Sequence, residues 1–137
     1  MYLVYKPEGS DEPQRFKYEP RRSIMSAERE MLERRTARNY TEFTKDVVAG
    51  SSVCRRALLF LFQKREHPGI KYEDVDFAWD ELTLEYSRGE LLTMREEVVD
   101  KAPPDQLAAV LEKLDEQIAE AFEDPEEEGK AQLPLAE

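Results

Sequence analysis

Residues 51–65 read SSVCRRALLFLFQKR and contain the longest apolar run, Ala57–Phe62, of this 137-residue chain. A helix over these residues is apolar on every side along that run, which is typical of a helix that the rest of the protein surrounds. The sequence His-Pro-Gly at 67–69 ends the helix sharply. Each fully buried Leu or Phe side chain contributes about 1.5–3 kcal/mol. We therefore expect this helix to be the central element of the core.

Two short runs near the N-terminus favour β-strands. They are Tyr2–Tyr5 and Arg15–Glu19, the second with alternating aromatic residues, and the turn-rich residues 6–13 separate them. This pattern predicts a β-hairpin with a long loop. Because two strands alone are marginally stable in water, we expect their aromatic side chains to pack on a helix.

Helices are predicted on both sides of the central one. A helix with few apolar residues is predicted over residues 27–35. A second helix is capped by Thr41, continues through Val48 and stops at Gly50. Residues 70–77 alternate apolar and charged side chains, so an extended segment and a helical turn stay equally possible there.

A longer helix is predicted from Ala78 onward. Its apolar residues lie at helical intervals and are Trp79, Leu82, Tyr86, Leu91, Met94 and Val98. Gly89 interrupts this pattern. Because glycine costs about 1 kcal/mol relative to alanine inside a helix, a kink or two shorter helices are alternatives.

The predicted fold class is mainly α: a small helical bundle with an N-terminal two-stranded β element and an acidic C-terminal tail. Residues 1–100 are expected to form a single helical domain that includes the β-hairpin. Residues 101–122 are expected to form a linker, around Pro103 and Pro104, and a C-terminal amphipathic helix. Residues 123–137 show no packing pattern and are predicted to be a disordered acidic tail.

Charge is distributed unevenly along the chain, whose formal net charge is -11. Residues 1–72 carry 15 Lys and Arg against 10 Asp and Glu, whereas residues 73–137 carry 5 against 21. Such asymmetry between the two halves favours an interaction with a partner over a solitary function, although solvated helix faces explain it equally well.

The sequence offers little to an enzyme. The chain has one cysteine, Cys54, and one histidine, His67, which excludes an internal disulfide and a zinc set of Cys and His ligands. Cys54 is better explained as a small core residue than as a nucleophile, and His67 is better explained as the end of a helix than as a catalytic base. We expect no catalytic residue, no cofactor and no metal. Without a signal peptide or a membrane-length apolar run, a soluble cytoplasmic protein is expected.

The middle of the chain resembles a known family in its layout. The matching segments are SAEREMLERRT at 26–36, YTEF at 40–43, GS at 50–51, RALLFLFQKR at 56–65 and HPGIKYEDVDF at 67–77. This layout resembles the tail assembly chaperones of long-tailed bacteriophages that infect actinobacteria. The similarity covers about residues 14 to 80, and it leaves the loop at 8–13 and the helix after Pro104 without a counterpart.

The resemblance implies a non-enzymatic protein made in the cytoplasm of the infected host and absent from the mature virion. Such chaperones bind the long helical tape measure protein until tail tube subunits replace them. They are commonly made as a short form and a frameshifted longer form. The partners expected from the resemblance are the tape measure protein and the protein's own longer form; the uneven charge also allows self-association between copies. Nucleic acid and membrane are not expected partners.

A candidate partner-binding surface is the apolar stripe of the C-terminal helix, with two residues of the preceding helix. It comprises Leu107, Leu111, Leu114, Ile118 and Phe122, together with Leu91 and Met94. We expect it to hold an apolar helix of the partner. The alternative is that the stripe belongs to the core of the protein itself.

Two other functions fit the same sequence. A structural or tail-completion virion protein shares the size and the acidic character. A small nucleic-acid-binding regulator would use the basic half of the chain, and its candidate residues are Arg34, Arg35, Arg55, Arg56, Lys64 and Arg65.

Overall fold

The computed structural model describes residues 1–124, and these residues form a mainly helical protein with a small antiparallel sheet. Among them are three strands, β1 (Tyr2–Tyr5), β2 (Gln14–Lys17) and β3 (Leu82–Glu85). The five α-helices of this part are α1 (Ser26–Thr36), α2 (Tyr40–Ala49), α3 (Ser52–Glu66), α4 (Arg88–Lys101) and α5 (Pro104–Glu120). Of the predicted acidic tail, residues 125–137 lie outside the described residues.

The chain divides into two compact units. One comprises Tyr2–Leu84, and the other comprises Met1 with the residues from Glu85 onward. Compactness is not independent folding, so the predicted domains over 1–100 and 101–122 stay predictions.

Helix α3 is the centre of the first unit, as its apolar run predicts. Cys54 and every residue of Ala57–Phe62 are buried, and α1 and α2 pack against the helix. Ser51 caps its N-terminus, where the side chain accepts a hydrogen bond from the Cys54 amide. Burial on all sides explains why this segment lacks a polar face.

The strands place aromatic side chains on α3. Strands β1 and β2 pair antiparallel with Leu3 opposite Phe16, which confirms the predicted hairpin. The Phe16 ring stacks on the Phe62 ring with centroids 5.3 Å apart, and the Tyr18 ring meets Phe62 edge-on at 6.4 Å. The expected packing of the hairpin on a helix is therefore confirmed.

The sheet has a third strand, so the predicted two-stranded element is wrong in strand number. The strand order is β2-β1-β3, which places β3 beside β1. The predicted helix from Ala78 is wrong before Arg88, because Trp79–Glu81 form a single 3-10 turn and β3 follows at Leu82, but it is confirmed from Arg88 onward as α4. Burial of Leu82 and pairing with β1 outweigh the helical spacing of Trp79, Leu82 and Tyr86.

Residues 70–78, for which an extended segment and a helical turn were both possible, contain one of each. Tyr72–Asp74 form a 3-10 turn, and an extended stretch follows. The Arg56 side chain holds this segment on α3, because its guanidinium donates to the Val75 carbonyl at 2.6 Å and to the Tyr72 carbonyl at 3.1 Å. Val75 is buried beneath it.

The second unit contains α4 and α5, which pack against each other. Helix α4 begins with a capping box in which the Ser87 hydroxyl accepts from the Glu90 amide at 3.2 Å and the Glu90 carboxylate accepts from the Ser87 amide at 2.9 Å. Gly89 therefore lies in the first turn of α4 and does not kink a longer helix. A side chain there would come within 2.5 Å of the Asp124 carboxylate, which accepts from the Gly89 amide at 3.1 Å.

Truncation of the α3 core should destabilise the protein strongly. Leu58→Ala removes a side chain that is fully buried, and we expect it to lower the free energy of unfolding by about 2–5 kcal/mol. Val53→Ala is the matched control on the same helix, because Val53 is 46% exposed and should change stability by no more than about 0.5 kcal/mol. Urea unfolding followed by circular dichroism measures both. Equal losses in the two variants would contradict the central position of α3.

Candidate protein-binding surfaces

The predicted stripe on α4 and α5 is only partly covered. Leu91 is 3% exposed and Leu114 is 8% exposed, so these two side chains belong to the core, as the alternative interpretation has it. The other predicted residues are half-buried, and they are Met94, Leu107, Leu111, Ile118 and Phe122. The stripe thus contains two core residues and five that retain some access to solvent.

Polar contacts at one end of the pair fix α5 against α4. The Arg88 guanidinium donates to the carbonyls of Ile118 at 3.2 Å and Ala121 at 3.1 Å, and it pairs with the Glu123 carboxylate. The Arg88 amide donates to the Phe122 carbonyl at 2.8 Å. These bonds satisfy carbonyl oxygens at and just after the C-terminal end of α5 and tie that end to the first turn of α4.

A shallow depression of about 660 Å³ opens beside Leu111. Its apolar part comprises Leu111, Ala108 and Ala119, and carboxylates of Asp115 and Glu116 lie at its edge. Residues 85–124 carry 4 Lys and Arg against 12 Asp and Glu, a net charge of -8. The surface is therefore a narrow apolar strip in an acidic surround.

Sequence reasoning missed a second apolar pair on α4. Leu92 is 46% exposed and Val99 is 50% exposed, and both lie seven residues apart on one face of the helix. The signal was available, because Leu91-Leu92 and Val98-Val99 are adjacent pairs. Neighbouring residues on a helix point about 100° apart, so both members of a pair cannot face the same partner helix.

The first unit carries a groove of about 370 Å³ between α1 and α3. Ala27 and Met31 line it from α1, and Phe60 and Leu61 line it from α3. At one end the Arg65 guanidinium donates to both oxygens of the Glu28 carboxylate, at 3.0 and 2.8 Å. This bond is the main reason why the pKa of Glu28 lies below its ordinary value.

Cations without a carboxylate partner flank the same groove. The Arg35 guanidinium lies 4.8 Å from the centroid of the Phe60 ring and 4.2 Å from that of Tyr72. The Lys64 ammonium lies 5.5 Å from the Phe60 centroid. Within residues 1–124, neither Arg35 nor Lys64 has a carboxylate at ion-pair distance. The groove thus combines an apolar floor with exposed positive charge.

Several of the basic residues suggested for nucleic-acid binding serve the fold instead. The Arg55 guanidinium donates to the carbonyls of Val47 at 2.8 Å and Val48 at 3.5 Å, and burial lowers its pKa. Arg56 holds residues 72–75, and Arg65 pairs with Glu28. Phosphate contacts would compete with these bonds, which weakens the case for a nucleic-acid surface.

Trp79 is the most exposed large apolar side chain of the described residues, with 69% of its surface accessible. Its ring packs on Gly50, where a Cβ atom would approach to 2.8 Å, and the Arg55 guanidinium lies 5.7 Å from the ring centroid. Gly50 has φ of +96°, a conformation that glycine adopts without steric cost. The sequence interpretation had placed Trp79 in a helical stripe, which was wrong.

The one cysteine and the one histidine lie in different surroundings. Cys54 is fully buried in the core, whereas His67 is exposed at the end of α3. Within residues 1–124, no three His, Cys, Asp or Glu side chains are arranged to hold a metal ion. None of the helices described there has the length and apolarity that crossing a membrane requires.

The chain matches no protein-family model, no curated protein and no solved structure. The resemblance of residues 14–80 to the phage chaperones therefore stays a prediction. Two surfaces of the described residues are suited to binding a protein: the apolar strip of α4 and α5 and the cationic groove of α1 and α3.

The Glu28–Arg65 pair should make stability depend on pH in the acid range. Because the pKa of Glu28 is lower in the folded chain than its ordinary 4.5, the pair stabilises the fold above pH 4.5, and this contribution is lost as the pH falls through the folded value. The destabilisation caused by Glu28→Gln should therefore shrink below pH 4.5, as urea unfolding at several pH values can measure. Glu30→Gln, at an exposed position of α1, is the control. A loss independent of pH would contradict this role for the pair.

Proposed function

We propose that this protein is a non-enzymatic tail assembly chaperone. It binds the helical tape measure protein in the host cytoplasm and is displaced when tail tube subunits assemble. The resemblance of residues 14–80 supports the family, and the incompletely covered apolar strip of α4 and α5 is the observation that supports binding. Two helices that bury only Leu91 and Leu114 among their large apolar side chains leave a surface on which a third helix fits.

The binding surface consists of the half-buried residues Leu111, Ile118 and Met94. An apolar helix laid along α4 and α5 would cover them in the way that amphipathic helices occupy hydrophobic grooves. The carboxylates of Glu112 and Glu116 remain at the edge in water. Their charge keeps the complex apart from other complexes and so prevents the bound helix from aggregating.

Reversible binding follows from the limited depth of the strip. Each half-buried side chain has only part of its area left to bury, so the free energy gained per chaperone is modest. A chaperone held in this way leaves when a competing protein binds the same helix more tightly. Many weak copies along one elongated partner would still keep it in solution.

A virion protein is the remaining alternative of similar size. It would stay in purified particles, whereas a chaperone is lost on assembly. A nucleic-acid-binding regulator has less support, because Arg55, Arg56 and Arg65 are engaged in the fold.

Substitution of the strip should abolish binding of the tape measure protein. We expect the wild-type protein to co-elute in size exclusion with the product of the longest open reading frame in its genomic neighbourhood, and to make that product soluble on co-expression. The double variant Leu111→Glu, Ile118→Glu should do neither, because two carboxylates in the apolar strip must be desolvated on binding. Ala109→Glu is the matched control, since Ala109 is exposed on the opposite face of α5.

Circular dichroism establishes that the double variant keeps its helices. Co-elution by a folded double variant would contradict the binding surface. Failure of the wild-type protein to bind or to rescue the tape measure protein would contradict the proposed function itself.

A further inference from the structure

We propose that the cationic groove between α1 and α3 binds the outer face of α4 from a second copy of this chain. Repeated, this contact links copies head to tail. It uses surfaces other than the α5 strip around Leu111, so it goes beyond the proposed function and does not depend on it.

The groove has the dimensions and chemistry to receive one face of a helix. Its α1 side extends from Ala27 to Arg35, about 12 Å at the rise of an α-helix. Ala27 and Met31 provide the accessible apolar surface of the groove, with the nearly buried Phe60 beneath them. The pair of Glu28 and Arg65 neutralises one end. Arg35 and Lys64 stand at the floor's edge as exposed cations that no carboxylate of residues 1–124 pairs with.

The outer face of α4 is complementary to the groove in length, in apolar surface and in charge. Leu92 and Val99 are exposed there and lie about 10.5 Å apart along the helix, which matches the length of the groove. Glu96 lies between them on the same face, and Asp100 follows one turn later. Both carboxylates are exposed, and neither forms an ion pair within the described residues. Leu92 and Val99 would cover Ala27 and Met31, and the carboxylates would meet Arg35 and Lys64.

Charge selects this pairing over a symmetric one. Residues 1–84 carry 15 Lys and Arg against 15 Asp and Glu and are neutral overall, whereas residues 85–124 carry the net charge of -8. A two-fold contact between two α4 faces would bring Glu96 and Asp100 against their own copies, and one between two grooves would oppose the cations. A head-to-tail contact avoids both repulsions and joins opposite charges.

The consequence is an association that grows with protein concentration. A head-to-tail contact leaves one free groove and one free α4 at the ends of every oligomer, so it does not stop at a dimer unless the rotation closes a ring. Added salt should weaken it, because exposed charges take part.

Two half-disabled variants test the proposal. Arg35→Glu with Lys64→Glu disables the groove, and Glu96→Lys with Asp100→Lys disables α4. Sedimentation velocity at low salt should show that the wild-type chain increases in mass with concentration and that each variant alone is monomeric, with a dissociation constant raised at least about tenfold. A mixture of the two variants should associate again, because the groove of each variant is opposite in charge to α4 of the other.

Charge reversals on other faces are the controls. Lys45→Glu on α2 and Glu97→Lys on α4 change exposed residues outside the two surfaces and should associate as the wild-type chain does. A wild-type chain that stays monomeric at every concentration would overturn the proposal, and so would association that persists in both half-disabled variants. Unchanged binding of the tape measure protein by the folded variants would leave the proposed function intact, so the two hypotheses fail separately.

Discussion

Burial of α3 on every side is the constraint on which the unit Tyr2–Leu84 depends. A helix apolar around its whole circumference needs partners in several directions, and α1, α2 and the strands supply them. Reactive and charged side chains of α3 also contribute to this packing. Cys54 is fully buried in the core, and Arg56 holds residues 72–75 against the helix.

The second unit follows a different principle, because α4 and α5 pack together without burying most of their apolar residues. Only Leu91 and Leu114 are removed from water among the large apolar side chains. The Arg88 contacts with the end of α5 hold the pair in place by polar bonds rather than by a deep core. A unit that is fixed in geometry but incompletely covered is suited to binding, since its surface is organised before the partner arrives.

The sequence allowed the helical core to be predicted and failed where local and long-range signals compete. The run Ala57–Phe62 predicts a buried helix, which the structure has, and the predicted hairpin strands pair as expected. The third strand was missed because Leu82 fits a helical spacing as well as a β-strand, and only the edge of β1, distant in sequence, decides between them. The candidate site was half predictable: the spacing identified the apolar strip, but it could not separate the buried Leu91 from the exposed Leu92. The groove was not predictable, because Arg35 and Phe60 come together only through the packing of α1 on α3.

Under the proposed function, the apolar strip of α4 and α5 holds an apolar helix of the tape measure protein. Hydrogen–deuterium exchange of the purified complex with that protein, compared with the free chain, tests this contact most directly. We expect amides of α4 and α5 to gain protection in the complex while those of α2 and α3 exchange as before. Protection confined to α1 and α3, or no change in α4 and α5, would contradict it.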